Sequence, residues 1–262
     1  MIEILSHKNE PRLEYYPLPP STIITNFVEG ESQCNYEIYL LELINESKYF
    51  KDKAKGAYKR PNTENHGECD AISENYELDF KLLASSTYLQ SRSILFPSIT
   101  IDKKGGITYG QCKNPGGYVK GTNINVAFRY RSLEDLKKLE CSHLKHDKID
   151  EDLCKVLNML KVKKNIMLFF PFNFKIDNEV DIKKVDKIVT SALNSDFQSL
   201  FLYREESTKH YDTYFVTLVF EMFYIYQVQN NLLTLIEKID VKNIPTFLKL
   251  RSYGVYGFPE WE

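Results

Sequence analysis

The segment HGECDAISENYELDFK, residues 66–81, decides how the first half of this chain is interpreted. Apolar and polar side chains alternate on both sides of Glu74 and Asn75, and acidic and amide residues of this kind are common in tight turns. Alternation with a period of two is the pattern of a strand that has one buried face. The segment therefore predicts a β-hairpin whose strands occupy residues 68–73 and 76–82.

The turn of this hairpin fixes which side chains face each other. A two-residue turn at positions 74 and 75 pairs Ser73 with Tyr76, and the same register sets Asp70 opposite Asp79. Directly opposed side chains share one face of a hairpin, with Cβ atoms about 5 Å apart. Lys81 lies on that face as well, because strand side chains alternate. The sequence thus predicts two adjacent carboxylates with a lysine beside them.

Two carboxylates at this separation repel each other unless a cation lies between them. Mg²⁺ suits such a site, since it binds one or two carboxylates and completes its shell with water and substrate phosphate. Lys81 is then placed to stabilise developing negative charge or to orient an attacking water. Asp70 and Asp79 are therefore candidate ligands for Mg²⁺ or Mn²⁺.

This arrangement resembles the PD-(D/E)xK nuclease superfamily. Asp70 matches its first acid and Asp79-Phe80-Lys81 matches its (D/E)-x-K, while Cys69 stands where the family has proline. The family also places an acid on the helix before the hairpin, and Glu37 fits this position better than Glu42 or Glu31. The resemblance covers residues 31–130. It implies a restriction-endonuclease-like core, and it implies Mg²⁺- or Mn²⁺-dependent DNA cleavage in which Glu37 binds the metal directly or through water.

A second match lies further along the chain. Gln111-Cys112-Lys113 follows Asp102 at the same spacing, and some branches of the superfamily carry Gln-x-Lys. The first match is preferred because it retains two acids and follows the acidic helix directly. Gln111 and Lys113 are then expected to border the same cleft and to contact phosphate.

A basic segment precedes the hairpin. Between residues 48 and 60 the basic side chains outnumber the acidic Asp52; they are Lys48, Lys51, Lys53, Lys55, Lys59 and Arg60. Positive charge grouped in this way can guide a phosphate backbone, and Lys53, Lys55, Lys59 and Arg60 are our candidate DNA contacts. A solvated helix end and loop is the alternative interpretation. A formal net charge of −2 argues against a protein that is basic overall.

The remaining sequence indicates a mixed α/β fold. Four prolines among the first twenty residues predict irregular structure there. Patterning then predicts helices at 33–50, 86–95, 133–143, 149–160 and 182–193, and strands at 99–102, 107–112, 123–130, 165–170, 199–203 and 211–229, the last of which is long enough for two strands. We expect a nuclease-like core with a central mixed sheet flanked by helices in residues 1–150. An α/β extension in residues 151–262, separate or part of the same domain, has no predicted role.

Composition limits the class of protein. A hydrophobic share of 43% with 27% charged residues is ordinary for a globular chain, and 18 Tyr and 16 Phe favour a core that contains strands. Five dispersed cysteines without a CxxC pair fit a reducing compartment. No signal peptide or apolar run of membrane-spanning length is visible. We therefore expect a cytoplasmic protein that does not bind membranes.

Two other functions stay open at this point. A non-catalytic binding or assembly module with a degenerate nuclease fold would account for the neutral-to-acidic charge, and hydrolysis of a smaller phosphoester would use the same metal site. DNA is favoured over RNA as the partner. Nucleases of this superfamily that cut both strands often act as dimers, so the resemblance leaves a homodimer open.

Overall fold

The computed structural model describes residues 12–17, 35–61, 67–83, 99–101, 107–109, 132–139, 148–177 and 181–248. Contacts divide the chain into two compact units. The sheet unit comprises residues 1–16, 81–88 and 121–238, and the hairpin unit comprises residues 17–80, 89–120 and 239–262. Each unit is assembled from separate stretches of the chain.

The fold is mixed α/β, as predicted, and is built on a mixed sheet. Its strands are hydrogen-bonded in the order β2-β3-β6-β7-β8-β9, and β1 also pairs with β6. Strands β6 and β7 run parallel, whereas β2 pairs antiparallel with β3 and β7 pairs antiparallel with β8. The bounds are β1 Arg12–Pro17, β2 Ala71–Ile72, β3 Glu77–Leu82, β6 Ile166–Asp177, β7 Thr213–Val219, β8 Met222–Gln229 and β9 Leu232–Asp240. A separate antiparallel pair is formed by β4 Ile99–Ile101 and β5 Ile107–Tyr109.

The helices differ from the predictions chiefly in where they end. Residues 33–50 are predicted as one helix, but α1, Asn35–Glu46, is followed at once by α2, Lys48–Ala54. Ser47 separates them because its extended backbone places its hydroxyl to accept from Phe50 N, which caps α2. The helices α3, Leu133–Lys138, and α4, Lys148–Leu160, occupy predicted positions.

The largest error concerns residues 182–208. A helix at 182–193 and a strand at 199–203 are predicted, but one helix of 27 residues, α5, spans Ile182–Thr208, so the predicted strand is wrong. The apolar run near residue 200 continues a helical stripe of buried side chains: Val185, Val189, Leu193, Phe197, Leu200 and Phe201. A short apolar run does not distinguish a strand from a buried helix by itself.

Aromatic rings join α5 to the sheet. The ring of Phe197 lies 5.1 Å from that of Phe170 on β6 and 5.2 Å from that of Phe215 on β7, measured between centroids. These distances are typical of favourable aromatic pairs. The same helix binds the edge of β9, where the Asn194 side chain accepts from Leu233 N at 2.7 Å and donates to Leu233 O at 3.3 Å.

Strand β1 corrects the prediction that the proline-rich start is irregular throughout. Residues 12–17 are extended and pair with β6. The strand ends at Pro17, whose nitrogen has no hydrogen to donate to a neighbouring strand. The helix predicted at 86–95 and the strand predicted at 123–130 lie outside the described residues. Within the described residues, no helix combines the length and apolar character needed to cross a bilayer.

Candidate active site

The hairpin has the predicted register. Ala71 on β2 lies opposite Leu78 on β3. This is the pairing expected when Ser73 faces Tyr76 and Asp70 faces Asp79. Ser73 N donates to Tyr76 O at 2.9 Å, and Tyr76 N donates to the Ser73 hydroxyl at 3.0 Å, which closes the turn. The regular strand β2 is shorter than predicted, but the alignment of the two arms is the expected one.

This register brings Asp70 and Asp79 together. Their carboxyl groups are hydrogen-bonded to each other, and Asp70 Oδ2 also accepts from Phe80 N at 2.6 Å. Asp79 is only 5% exposed. A hydrogen bond between two carboxyl groups needs a proton on one of them. The pair is therefore arranged to hold a single shared proton or a cation in its place.

The surroundings of Asp70 oppose its ionisation. Burial, which is the largest cause, and the neighbouring acids Asp79 and Glu37 raise the pKa of Asp70 to about 7, although the bond from Phe80 N–H acts to lower it. The charged form of this carboxyl group is thus disfavoured. A carboxylate kept in such a position lowers the stability of the fold, and perturbed groups of this kind are concentrated at functional sites.

Glu37, the third predicted acid, lies in the first turn of α1 and is close enough for its charge to act on Asp70. Arg60 Nη2 donates to Glu37 Oε2 at 2.8 Å, and the two side chains are 30% and 21% exposed, respectively. Arg60 is a predicted DNA contact. Its pairing with Glu37, across 23 positions in the sequence, has no sequence signal and was missed.

Backbone hydrogen bonds hold the segment that carries Arg60. The Asn45 side chain accepts from Tyr58 N at 2.8 Å and donates to Tyr58 O at 3.0 Å. The next residue, Lys59, exchanges two 2.8 Å bonds with Ile72, one from each amide to the other carbonyl. Lys59 is exposed, and because directly opposed residues share a face, its side chain leaves on the same side as that of Ile72.

The other basic candidates are less closely tied to the acid pair. Lys53 Nζ lies 4.6 Å from the ring centre of Tyr76 and 5.6 Å from that of Tyr49, both cation–π contacts. Lys55 is exposed and ends α2 in a left-handed conformation. The structure therefore brings the predicted lysines to the surface of the hairpin unit.

Lys81 is half-buried on β3, and the boundary between the two units falls between Phe80 and Lys81. Its role beside Asp79 stays a prediction. Glu42, a weaker candidate for the third acid, instead accepts hydrogen bonds from both the amide and the hydroxyl of Thr246 and so stabilises the end of the hairpin unit. Gln111, Lys113 and Glu31 lie outside the described residues.

The donor chemistry of the acid pair fits a hard divalent cation. Two carboxylates on one hairpin face provide the oxygen ligands that Mg²⁺ and Mn²⁺ prefer. Across the part of the chain that the structure describes, no group of three or more His, Cys, Asp or Glu side chains is placed to hold a metal ion together. The pair therefore stands as a two-carboxylate site, with Glu37 nearby and bound to Arg60.

The chain was compared with protein-family models, with curated proteins and with solved structures, and none of them matches.

Proposed function

We propose that the protein is a metal-dependent nuclease with a restriction-endonuclease-like core that hydrolyses phosphodiester bonds in DNA. The observation that carries the proposal is the pair formed by the half-buried Asp70 and the buried Asp79, which share a hydrogen bond although each would ionise at neutral pH in water. A carboxylate pair kept at a cost in stability needs a reason other than stability. Binding a divalent cation supplies that reason.

Asp70 and Asp79 would hold Mg²⁺ or Mn²⁺, and Phe80 N–H would keep the Asp70 carboxylate oriented through its 2.6 Å bond. The bound ion would neutralise charge on the phosphodiester and acidify a water molecule. Glu37 is the third acid, binding directly or through water, and Lys81 would orient the attacking water. Lys53, Lys55 and Lys59, with Arg60, would guide the DNA backbone towards the acids.

The decisive experiment is calorimetric titration of Mn²⁺ into the wild type and the variant Asp70→Ala/Asp79→Ala, followed by incubation of each protein with plasmid DNA and Mg²⁺. We expect the wild type to bind Mn²⁺ and nick the plasmid, and the double variant to do neither. Asp79→Ala alone should abolish cleavage and leave the fold nearly intact. Glu74→Gln, which removes an exposed acid from the turn of the same hairpin, is the matched control and should behave as wild type.

The second candidate is a non-catalytic binding module with a degenerate nuclease fold. The Arg60–Glu37 ion pair favours it, because it engages the third acid. Absence of Mn²⁺ binding by the wild type would support this module and reject the nuclease. If Mn²⁺ binds but plasmid DNA is not cut, cleavage of bis-p-nitrophenyl phosphate would identify hydrolysis of a smaller phosphoester.

A further inference from the structure

The ion pair between Arg60 and Glu37 links the two halves of the proposed site. Glu37 lies near enough to Asp70 to raise its pKa, whereas Arg60 extends from the basic segment that precedes the hairpin. One carboxylate therefore has two competing roles. It can neutralise Arg60, or it can add a third acid to the pair formed by Asp70 and Asp79.

The backbone around Arg60 is fixed, but its side chain reaches solvent. The hydrogen bonds to Asn45 and Ile72 hold the two preceding residues, and the Arg60 side chain is 30% exposed. A guanidinium presents five N–H donors in a planar fork, and Glu37 is bound through Nη2. This fork matches the geometry of a phosphate, which it can bind through two parallel hydrogen bonds.

We propose that Arg60 is a positioning residue that withholds Glu37 from the metal until a DNA phosphate takes its place. The inference rests on the proposed nuclease function and deepens it. Phosphate binding to Arg60 releases Glu37, which then joins Asp70 and Asp79 around the cation. The exchange costs little because a partly exposed ion pair contributes little to stability. DNA and metal then bind cooperatively, and each tightens the other by the same factor.

The test is calorimetric titration of Mn²⁺ alone into four proteins: wild type, Arg60→Gln, Glu37→Gln and the double variant. Removing Arg60 frees Glu37 for the metal, so we expect Arg60→Gln to bind Mn²⁺ up to about fivefold more tightly, which is the most that a partly exposed ion pair withholds. In the Glu37→Gln background this gain should largely disappear. Lys51→Gln, an exposed position on α2, is the control for the loss of one positive charge.

A second readout uses a phosphorothioate duplex that resists cleavage. The duplex should tighten Mn²⁺ binding by the wild type and leave binding by Arg60→Gln almost unchanged. Equal Mn²⁺ affinity of the wild type and Arg60→Gln, or a gain that persists without Glu37, overturns the inference and leaves the nuclease standing. Failure of the wild type to bind Mn²⁺ even with the duplex overturns both. Thermal melting establishes that each variant is folded, and Arg60→Ala replaces Arg60→Gln if the latter unfolds.

Discussion

Two aspartates, one in each unit, show how differently this protein treats its carboxylates. In the sheet unit, Asp186 accepts 2.7 Å hydrogen bonds from the hydroxyl of Tyr224 and from Lys238 Nζ. Burial acts to raise the pKa of Asp186, but these two donors lower it below its ordinary value. In the hairpin unit, burial and the neighbouring carboxylates of Asp79 and Glu37 together raise the pKa of Asp70 to about 7. Asp186 accepts hydrogen bonds from two side-chain donors, whereas the acidic side chains near Asp70 oppose its ionisation.

The sheet unit extends this contrast to a buried cation. Arg204 on α5 is 1% exposed, and its guanidinium donates to three backbone carbonyls at and just beyond the last residue of α4, which are those of Leu160, Val162 and Lys164. The negative end of a helix favours a cation at this place. The buried charge of Arg204 is therefore compensated, whereas Asp70 and Asp79 in the hairpin unit place two acidic groups side by side.

The largest expected effect comes from removing the compensated cation. Arg204→Met should lower the free energy of unfolding by about 3–5 kcal/mol, because one buried and two partly buried carbonyls lose their donors. Urea denaturation measures this loss. Lys155→Met breaks an exposed ion pair with Glu151 within α4 and should cost less than about 0.5 kcal/mol. If Arg204→Met lowers the free energy of unfolding by as little as Lys155→Met does, the contrast between the compensated Arg204 and the acid pair is wrong.

Replacing Asp70 should raise the free energy of unfolding, which is the opposite of the effect expected for Arg204→Met. The pKa of Asp70 is higher in the folded state than in the unfolded state, so folded protein binds more protons and wild-type stability falls as pH rises from about 4 to about 7. Asp70→Asn is neutral and avoids that loss. We expect it to be more stable than wild type by about 1–3 kcal/mol at pH 8 and about equal near pH 4.

Urea denaturation in EDTA at both pH values checks this prediction, with Glu74→Gln as the control. The stabilised variant should also lose Mn²⁺ binding, which is the trade-off expected of a functional residue. A variant that is less stable than wild type at pH 8 would show that the acid pair supports the fold.

Asp186→Asn should give a smaller effect with the reverse dependence on pH. The pKa of Asp186 is lowered in the folded state, so its contribution is present above the unfolded pKa of about 4 and is lost as pH falls through the folded value. We expect a loss of about 1 kcal/mol at pH 7, mainly from the bond to Tyr224. The Lys238 pair adds little because it is exposed. Combining the change with Tyr224→Phe should cost less than the sum of the two.

The smallest effect is expected for replacement of the exposed Lys59. Lys59→Gln should weaken duplex DNA binding about threefold and reduce the salt dependence by about one phosphate contact, without affecting stability. Fluorescence anisotropy at several salt concentrations measures both quantities. An unchanged salt slope would remove Lys59 from the proposed DNA surface.

The hairpin could be predicted because its information is local. A two-residue turn fixes the register, and the register alone sets Asp70 opposite Asp79. The pairing of Glu37 with Arg60 could not be predicted, since it depends on how α1 packs against the following segment. The run near residue 200 was misassigned for a related reason: its helical character follows from burial against Phe170 and Phe215, which lie on distant strands.

The two hydrogen bonds between Asn194 and Leu233 also bear on the association of this chain with further copies of itself. Strand β9 ends the order of hydrogen-bonded strands among the described residues, and an open strand edge is a template for another chain to add to. Asn194 occupies the amide and the carbonyl that an incoming strand would need at that position. Growth of an intermolecular sheet from β9 must therefore first displace a side chain that belongs to the long helix.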